Sequence, residues 1–343
     1  YQKMCTKEQK LTMTGPENLS GSIFSIQSPA AFERAALGLF AWHYQHNSVY
    51  KTFCDNTGKT PENVHDIQQI PCLPVNIFRY NKILPDNCTA ELFFETSGTT
   101  AAETGRHYIA DPVLYLTSAM NCFNSFYGNI EDYVVLALLP GYLERQHSSL
   151  VYMVDHWIRC SNKSQSGFYL HDHQKLYSTL NSLKNNNQKT LLIGVTHALV
   201  DFSENYSIQF PELIVMETGG MKGRRKELLR SELHSILKNS FSVPAIHSEY
   251  GMTELLSQAY SKADGIFHCP PWMRVLLRDI NDPLSPPQNK TTGAINIIDL
   301  ANMYSCPFLA TDDSGILHED GSFEITGRID FSVIRGCSTM LSH

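Results

Sequence analysis

The chain has 343 residues, 42% of them hydrophobic and 18% charged, enough apolar material to bury a large core. That length fits one large α/β domain or two to three lobes. The net charge of −7 leaves no basic stripe for a nucleic-acid backbone. No apolar run approaches the roughly 20 residues needed to span a bilayer. The opening YQKMCTKEQK lacks the apolar centre of a secretory signal. The nine cysteines include no C-x-x-C pair, so a zinc ribbon or a thioredoxin-type site is not indicated. Buried thiols in a reducing, cytoplasmic setting are expected.

Residues 1–90 read as mainly helical. Ser28-Pro29 is a helix start, with serine as cap and proline in the first turn. Phe32, Ala35, Ala36, Leu39, Phe40 and Tyr44 then recur on one helical face. His43 and His46 have no carboxylate or cysteine at ligand spacing and read as ordinary helical histidines. Pro71, Pro74 and Pro85 break the next stretch into irregular connections.

The stretch Leu92–Arg106, LFFETSGTTAAETGR, comes next. Its apolar opening suits a buried strand, and RHYIA reads as the returning strand. Ser97, Gly98, Thr99 and Thr100 between them suit either a phosphate cradle or a plain hairpin turn. The loop is neither a Walker sequence nor a G-x-G-x-x-G fingerprint.

Strands and helices then alternate. Helices are expected at Pro112–Tyr127, Gln146–Ile158, His171–Leu183 and Gly223–Leu237. The last should turn Leu228, Leu229, Leu233 and Ile236/Leu237 to one side. Short apolar runs at Tyr133–Leu139, Lys189–Val195 and Leu213–Glu217 have the character of strands covered on both faces, and Val243–His247 reads as another. This pattern argues for a substantially parallel sheet. From Met273 onward short strands with Gly, Pro and Asp turns take over. The division expected is a helical segment at 1–90, an α/β core at 91–265, a β-rich subdomain at 266–330 and a tail at 331–343.

In such a sheet, ligands bind beyond the carboxyl ends of the strands. Three glycine-containing turns are expected there. One is the Ser97–Thr100 loop. The second is Thr218-Gly219-Gly220, where a flat ligand can lie against the backbone; a plain strand-to-helix turn is the alternative. Lys222, Arg224 and Arg225 come directly after it, either serving an anion or standing as solvated charge. The third is Ser248-Glu249-Tyr250-Gly251-Met252-Thr253-Glu254. It offers an aromatic ring, a hydroxyl and a carboxylate within five residues, a set that can serve a base, a phosphate and Mg²⁺.

The order and spacing of these turns resemble the adenylate-forming (acyl-AMP) superfamily. Ala310–Gly315 (ATDDSG) resembles its ribose-binding segment, Gly293–Leu300 the β segment before it, and Thr326–Asp330 (TGRID) its hinge signature. SEYGMTELLSQAY and the ending RGCSTM are most similar to the acyl-protein synthetase (LuxE-type) subfamily, which activates fatty acids for bacterial luminescence. The phenylacetate–coenzyme A ligase branch is the nearest rival. The resemblance implies the superfamily's large N-terminal domain, with stacked α/β subdomains and a small β-rich one. It also implies ATP and Mg²⁺, with activation of a long-chain fatty acid to acyl-AMP. The acyl group would pass to the protein's own cysteine, then to a partner such as a reductase, acyltransferase or acyl carrier protein.

By resemblance, Ser97, Gly98, Thr99 and Thr100 cradle phosphates, and Tyr250, Gly251, Gly219 and Gly220 bracket adenine. Asp312 holds the ribose, Arg328 lies near ribose or phosphate, Thr253 meets the α-phosphate and Glu254 holds Mg²⁺. Cys337 would accept the acyl group, helped by Arg335; on residues alone, an inert tail cysteine is the plainer reading. His147 would line the acyl pocket or stand as helix-start surface.

The chain departs from the pattern in two places. Ala101 replaces the loop's second glycine and Thr104 its lysine, a gap Arg106 is expected to fill. The sequence ends at His343, so the C-terminal lid with its lysine is expected to be absent or vestigial. Two alternatives arise from these departures: an acyl or aryl coenzyme A ligase with its lid supplied in trans, and a non-catalytic acyl- or nucleotide-binding protein.

Overall fold

The structure, a computed structural model, describes residues 16–96, 104–140, 147–219, 229–282, 285–287 and 291–329. A short α1 (Pro16–Leu19) leads to α2 (Pro29–His46) and α3 (Ser48–Asn56), a helix that the sequence pattern did not announce. Ser28 caps α2 as expected, its hydroxyl accepting from the Ala31 N–H at 3.2 Å. Strands β1 (Leu73–Pro74) and β2 (Leu92–Glu95) are separated by a 3-10 turn, Val75–Arg79. Strand β2 forms a two-stranded hairpin with β3 (Arg106–Ile109), pairing Glu95 with Arg106.

The α/β part then runs α4 (Pro112–Tyr127), β4 (Val134–Leu138), α5 (Ser149–Ser161), β5 (Gly167–Phe168), α6 (His173–Asn185), β6 (Thr190–Val195), α7 (Thr196–Ser203), β7 (Ile214–Thr218), α8 (Arg230–Phe241), β8 (His247–Tyr250) and β9 (Ala259–Ser261). The sheet order is β5-β4-β6-β7-β8-β9. All neighbours are parallel except β8 and β9. Every residue of β4 and of β6 is buried, because helices cover both faces, as their unbroken apolar sequences require.

Four details qualify the expectations. Strand β8 begins at His247, not Val243; Pro244 has no N–H to give to a ladder, and pairing with β7 starts only at Met216–His247. The strands flanking the Ser97–Thr100 loop, a loop grouped with the turns beyond the carboxyl ends of the parallel strands, form a two-stranded hairpin of their own, RHYIA being the returning strand as read. Helix α8 runs on to Phe241; the expected start at Gly223 lies outside the described residues. Leu229 is 75% exposed, preceding the helix instead of joining its apolar face, whereas Leu233 and Leu237 are buried as expected.

A second sheet contains β10 (Ile266–Phe267), β11 (Met273–Arg278), β12 (Thr292–Asp299), β13 (Phe308–Leu317) and β14 (Phe323–Arg328). Its order is β10-β14-β13-β12-β11, with antiparallel neighbours, and β1 adds to β13 in parallel. The N-terminal helices lie against this sheet. Tyr50 stacks on Phe308 at 5.7 Å, and Phe40 meets the same ring edge-on at 6.3 Å. His43 and Asn47 bond to the Met303 and Ser305 carbonyls at 2.9 and 3.0 Å. His46 stacks on Trp42. Both histidines are thus ordinary helical residues. Among the described residues no helix is long and apolar enough to cross a membrane.

Leu192 sits fully buried in β6 between Leu136 and Val215. Leu192→Ala is expected to cost about 2–5 kcal/mol, from lost transfer energy plus the cavity left behind. Urea unfolding at constant slope would measure it; an unchanged midpoint would contradict this account of the core.

Candidate functional site

Three separate pieces of backbone meet where β7 and β8 end. Each is held by side chains that the motifs alone did not reveal.

The first piece is the end of β7. Gly219 adopts φ 67°, a left-handed conformation open to glycine at little cost. Its carbonyl accepts from the Thr196 hydroxyl at 2.5 Å. Thr218 donates to the Glu249 carboxylate. Glu217 accepts from Thr196 and Ser248, at 3.1 and 2.7 Å. Burial pushes the Glu249 carboxyl up to about 7, against the pull of the Thr218 hydroxyl. Gly220 lies outside the described residues.

The second piece is the turn after β8, which carries Gly251, Thr253 and Glu254. Four groups pin it. The buried His107 of β3 bonds through Nδ1 to the Thr253 carbonyl at 2.8 Å. Asn302 donates to the Glu254 carbonyl at 2.7 Å. The Thr253 hydroxyl points to the Glu95 carbonyl at 3.5 Å. Asp299, completely buried at the end of β12, accepts from four donors. These are the Leu256 and Ser257 N–H groups, both at 2.9 Å, the Ser257 hydroxyl at 2.6 Å and the Ala301 N–H at 3.2 Å. This carboxylate fastens the turn to the second sheet.

The third piece is the centre of β13. Tyr250 donates its hydroxyl to Asp313 at 2.8 Å, and its ring meets Phe267 and Phe323 edge-on. The Arg328 Nε lies 4.0 Å from the same Asp313. Asp312 lies on the side of Glu254. Burial pushes the Glu254 carboxyl up to about 7; Asp312 reinforces this, while Arg328 and Arg79 oppose it. Burial also raises Asp312 and Asp313. The Glu254 and Asp312 carboxylates are hard oxygen donors, two of the several ligands that a divalent cation such as Mg²⁺ takes. The structure therefore brings together Gly219, Tyr250, Gly251, Thr253, Glu254, Asp312 and Arg328. It adds Asp313 and Asp299, which lie inside the ATDDSG and GAINIIDL segments but had been given no role, and His107 and Asn302, which belong to no motif and gain meaning only from contacts distant in sequence. Ser97, Gly98, Thr99, Thr100 and Cys337 lie outside the described residues.

Two neighbouring expectations change. Arg106 is engaged in the hairpin: its Nε pairs with Glu95 at 3.1 Å and its guanidinium lies 4.8 Å over Phe93. His147 stacks on the Phe93 ring at 4.2 Å, and its carbonyl accepts from the Glu95 N–H at 2.9 Å. Helix α5 starts beyond it, at Ser149. The described cysteines are free thiols. Burial pushes Cys54, Cys72 and Cys269 up to about 12, and raises Cys122 and Cys306 as well. Among the described residues, no group of three His, Cys, Asp or Glu is placed to hold a metal ion.

The fold is that of the large N-terminal domain of adenylate-forming enzymes. An ATP-bound MatB from Rhodopseudomonas palustris superposes with a TM-score of 0.52 at 15% identity, over 69% of this chain and 47% of that one. The chain thus spans about half the length of that structure. The family model of the LuxE acyl-protein synthetases matches residues 24–105. The chain is also similar to two long-chain-fatty-acid–luciferin-component ligases. That of Aliivibrio fischeri is 22% identical over 89% of this chain and 86% of its own. That of Vibrio harveyi is 23% identical over 90% and 86%. These matches agree with the resemblance read from the motifs: the chain is similar to the acyl-protein synthetases.

Two outcomes test the geometry. A raised carboxyl pKa means the folded state keeps a proton that the unfolded chain loses near 4.5. Stability therefore falls as pH climbs from about 4.5 to about 7 and stays reduced above. Glu254→Gln removes that cost, so its thermal midpoint at pH 8 should exceed wild type, by on the order of 3 kcal/mol in stability. The gap should close toward pH 4.5. A variant less stable at pH 8 would refute the buried-charge reading. Asp299→Asn must turn its amide toward two of four donors; a loss of about 3 kcal/mol in denaturant unfolding is expected.

Proposed function

We propose that this protein activates a long-chain fatty acid with ATP and then carries the acyl group on its own cysteine. The observation that carries the reading is the convergence of the Glu254 turn, the Tyr250–Asp313–Arg328 group and the β2–β3 hairpin at one end of the parallel sheet. Homology to fatty-acid ligases supports the same conclusion.

In the first step a carboxylate oxygen attacks the α-phosphorus of ATP, and pyrophosphate leaves. Catalysis of this kind is chiefly positioning and charge neutralisation. Ser97, Gly98, Thr99 and Thr100 cradle phosphate oxygens. Thr253, fixed through its carbonyl by His107, presents its hydroxyl to the α-phosphate. Tyr250, Gly251, Gly219 and Gly220 bracket the adenine. Asp312 and Arg328 serve the ribose side, with Asp313 orienting Tyr250 and Arg328. Glu254 holds Mg²⁺, which when bound offsets phosphate charge.

In the second step the Cys337 thiolate attacks the acyl carbonyl of the adenylate; the thioester forms and AMP leaves with the bonding electrons. A reductase, acyltransferase or carrier protein then takes the acyl group.

The test is intact-protein mass after incubation with Mg-ATP and fatty acids of several lengths. Wild type should gain one acyl increment that hydroxylamine removes, and Cys337→Ser should gain none. Pyrophosphate release that requires coenzyme A and ignores Cys337→Ser would identify a coenzyme A ligase instead. ATP binding with neither signal would identify a binding protein.

A further inference from the structure

A cleft of about 400 Å³ opens beside the hairpin. Its walls include Arg79, Lys82, Glu95, Thr104, Arg106 and Tyr108, and the lining is mostly polar. It lies against the strands that flank the Ser97–Thr100 loop, and it is too polar for an acyl chain. Its charges do not cancel. Glu95 is satisfied by Arg106 at 3.1 Å. Lys82 lies 5.4 Å over the Tyr108 ring, a contact that leaves its charge uncompensated. Among the described residues, no carboxylate lies within ion-pair distance of Arg79.

Arg79 is an exposed side chain whose backbone is placed by packing. It ends the 3-10 turn Val75–Arg79, which packs between β3 and β13. Its stem lies across Gly105: a Cβ added there would sit 3.4 Å from the Arg79 Cγ and 3.3 Å from the Thr96 Cγ2. Glycine at 105 thus lets the arginine lie over the base of the hairpin. From there the guanidinium is near enough to Glu254 and Asp312 to favour their ionised forms. One cation therefore lies near Glu254 and Asp312 and lines the same cleft as Thr104, which stands where the resemblance expects a lysine.

Resting on the reading above, we propose that Arg79, backed by Lys82, binds the β- and γ-phosphates of ATP and the departing pyrophosphate. A guanidinium offers paired N–H groups that match two phosphate oxygens, and a fixed positive charge stabilises the charge that develops on the leaving group. Arg79 thereby performs the work expected of the loop lysine, from an element that precedes the loop in sequence.

The experiment is calorimetric titration of inorganic pyrophosphate with Mg²⁺ into wild type, Arg79→Ala, Arg79→Lys and Arg159→Ala. Arg159 is an exposed arginine paired with Asp155 on α5 and serves as the control. Arg79→Ala should weaken pyrophosphate binding at least about tenfold, the loss expected for charge-assisted hydrogen bonds. Arg79→Lys should recover part of that loss, and Arg159→Ala should bind as wild type does. In acid-dependent ATP–pyrophosphate exchange, the KM for pyrophosphate should rise in Arg79→Ala while that for fatty acid stays within about twofold. Equal pyrophosphate binding by wild type and Arg79→Ala, or no binding by wild type, would overturn the assignment. Binding that depends on Arg79 without any acid-dependent exchange would uphold the phosphate site and overturn the fatty-acid reading.

Discussion

The Asp299 carboxylate is the joint on which the site depends. Two sheets of different construction, one parallel and one antiparallel, must present residues to a common point. Asp299 ends β12 of the second sheet and accepts from donors just beyond the Glu254 turn of the first. The bonds are backbone and hydroxyl donors to a buried anion, the kind that is short, directional and costly to leave unmade. Burial raises this carboxyl, and its donors act to hold it ionised. The turn is therefore located relative to β12 and β13 whatever the rest of its residues do.

Around that joint the remaining contacts have a division of labour. His107 and Asn302 grip backbone carbonyls of the turn, and the Glu254 side chain takes no part in that attachment. Burial pushes His107 down to about 4, so near neutral pH it is an uncharged imidazole that adds no charge to the turn it holds. Tyr250 at the end of β8 forms a second group with Asp313 of β13 and Arg328 of β14. Burial holds the Asp312 and Asp313 carboxyls above their ordinary range, with Arg328 pulling the other way. Natural proteins tolerate such local unfavourable terms where function requires them.

The framework was readable because buried parallel strands carry continuous apolar runs. Val134–Leu138 and Thr190–Val195 could hardly be anything else, and Ser28-Pro29 announced α2. The turns at Gly219 and at Tyr250–Glu254 were readable because small, hydroxyl and acidic residues come after buried strands there. Misplacements have local causes: Pro244 delays β8, and Leu229 lies before its helix. What the sequence concealed were single residues whose partners are far along the chain. His107 and Thr253 are 146 positions apart, and Ser257 and Asp299 are 42 apart. Arg79 belongs to no motif, and only the closeness of its stem to Gly105 reveals that it lies over the base of the hairpin.

The core thiols have a consequence for chemical selectivity. An acyl adenylate is a strong electrophile, and a protein that makes one is exposed to its own product. Cys54, Cys72 and Cys269, pushed up to about 12, hold on the order of one thiolate per 100,000 molecules at pH 7. Cys122 and Cys306 are raised by the same apolar surroundings. The interior is thus inert to acyl transfer even where it is rich in sulfur. Burial that serves packing also acts as a protecting group, leaving nucleophilic chemistry to thiols outside the core.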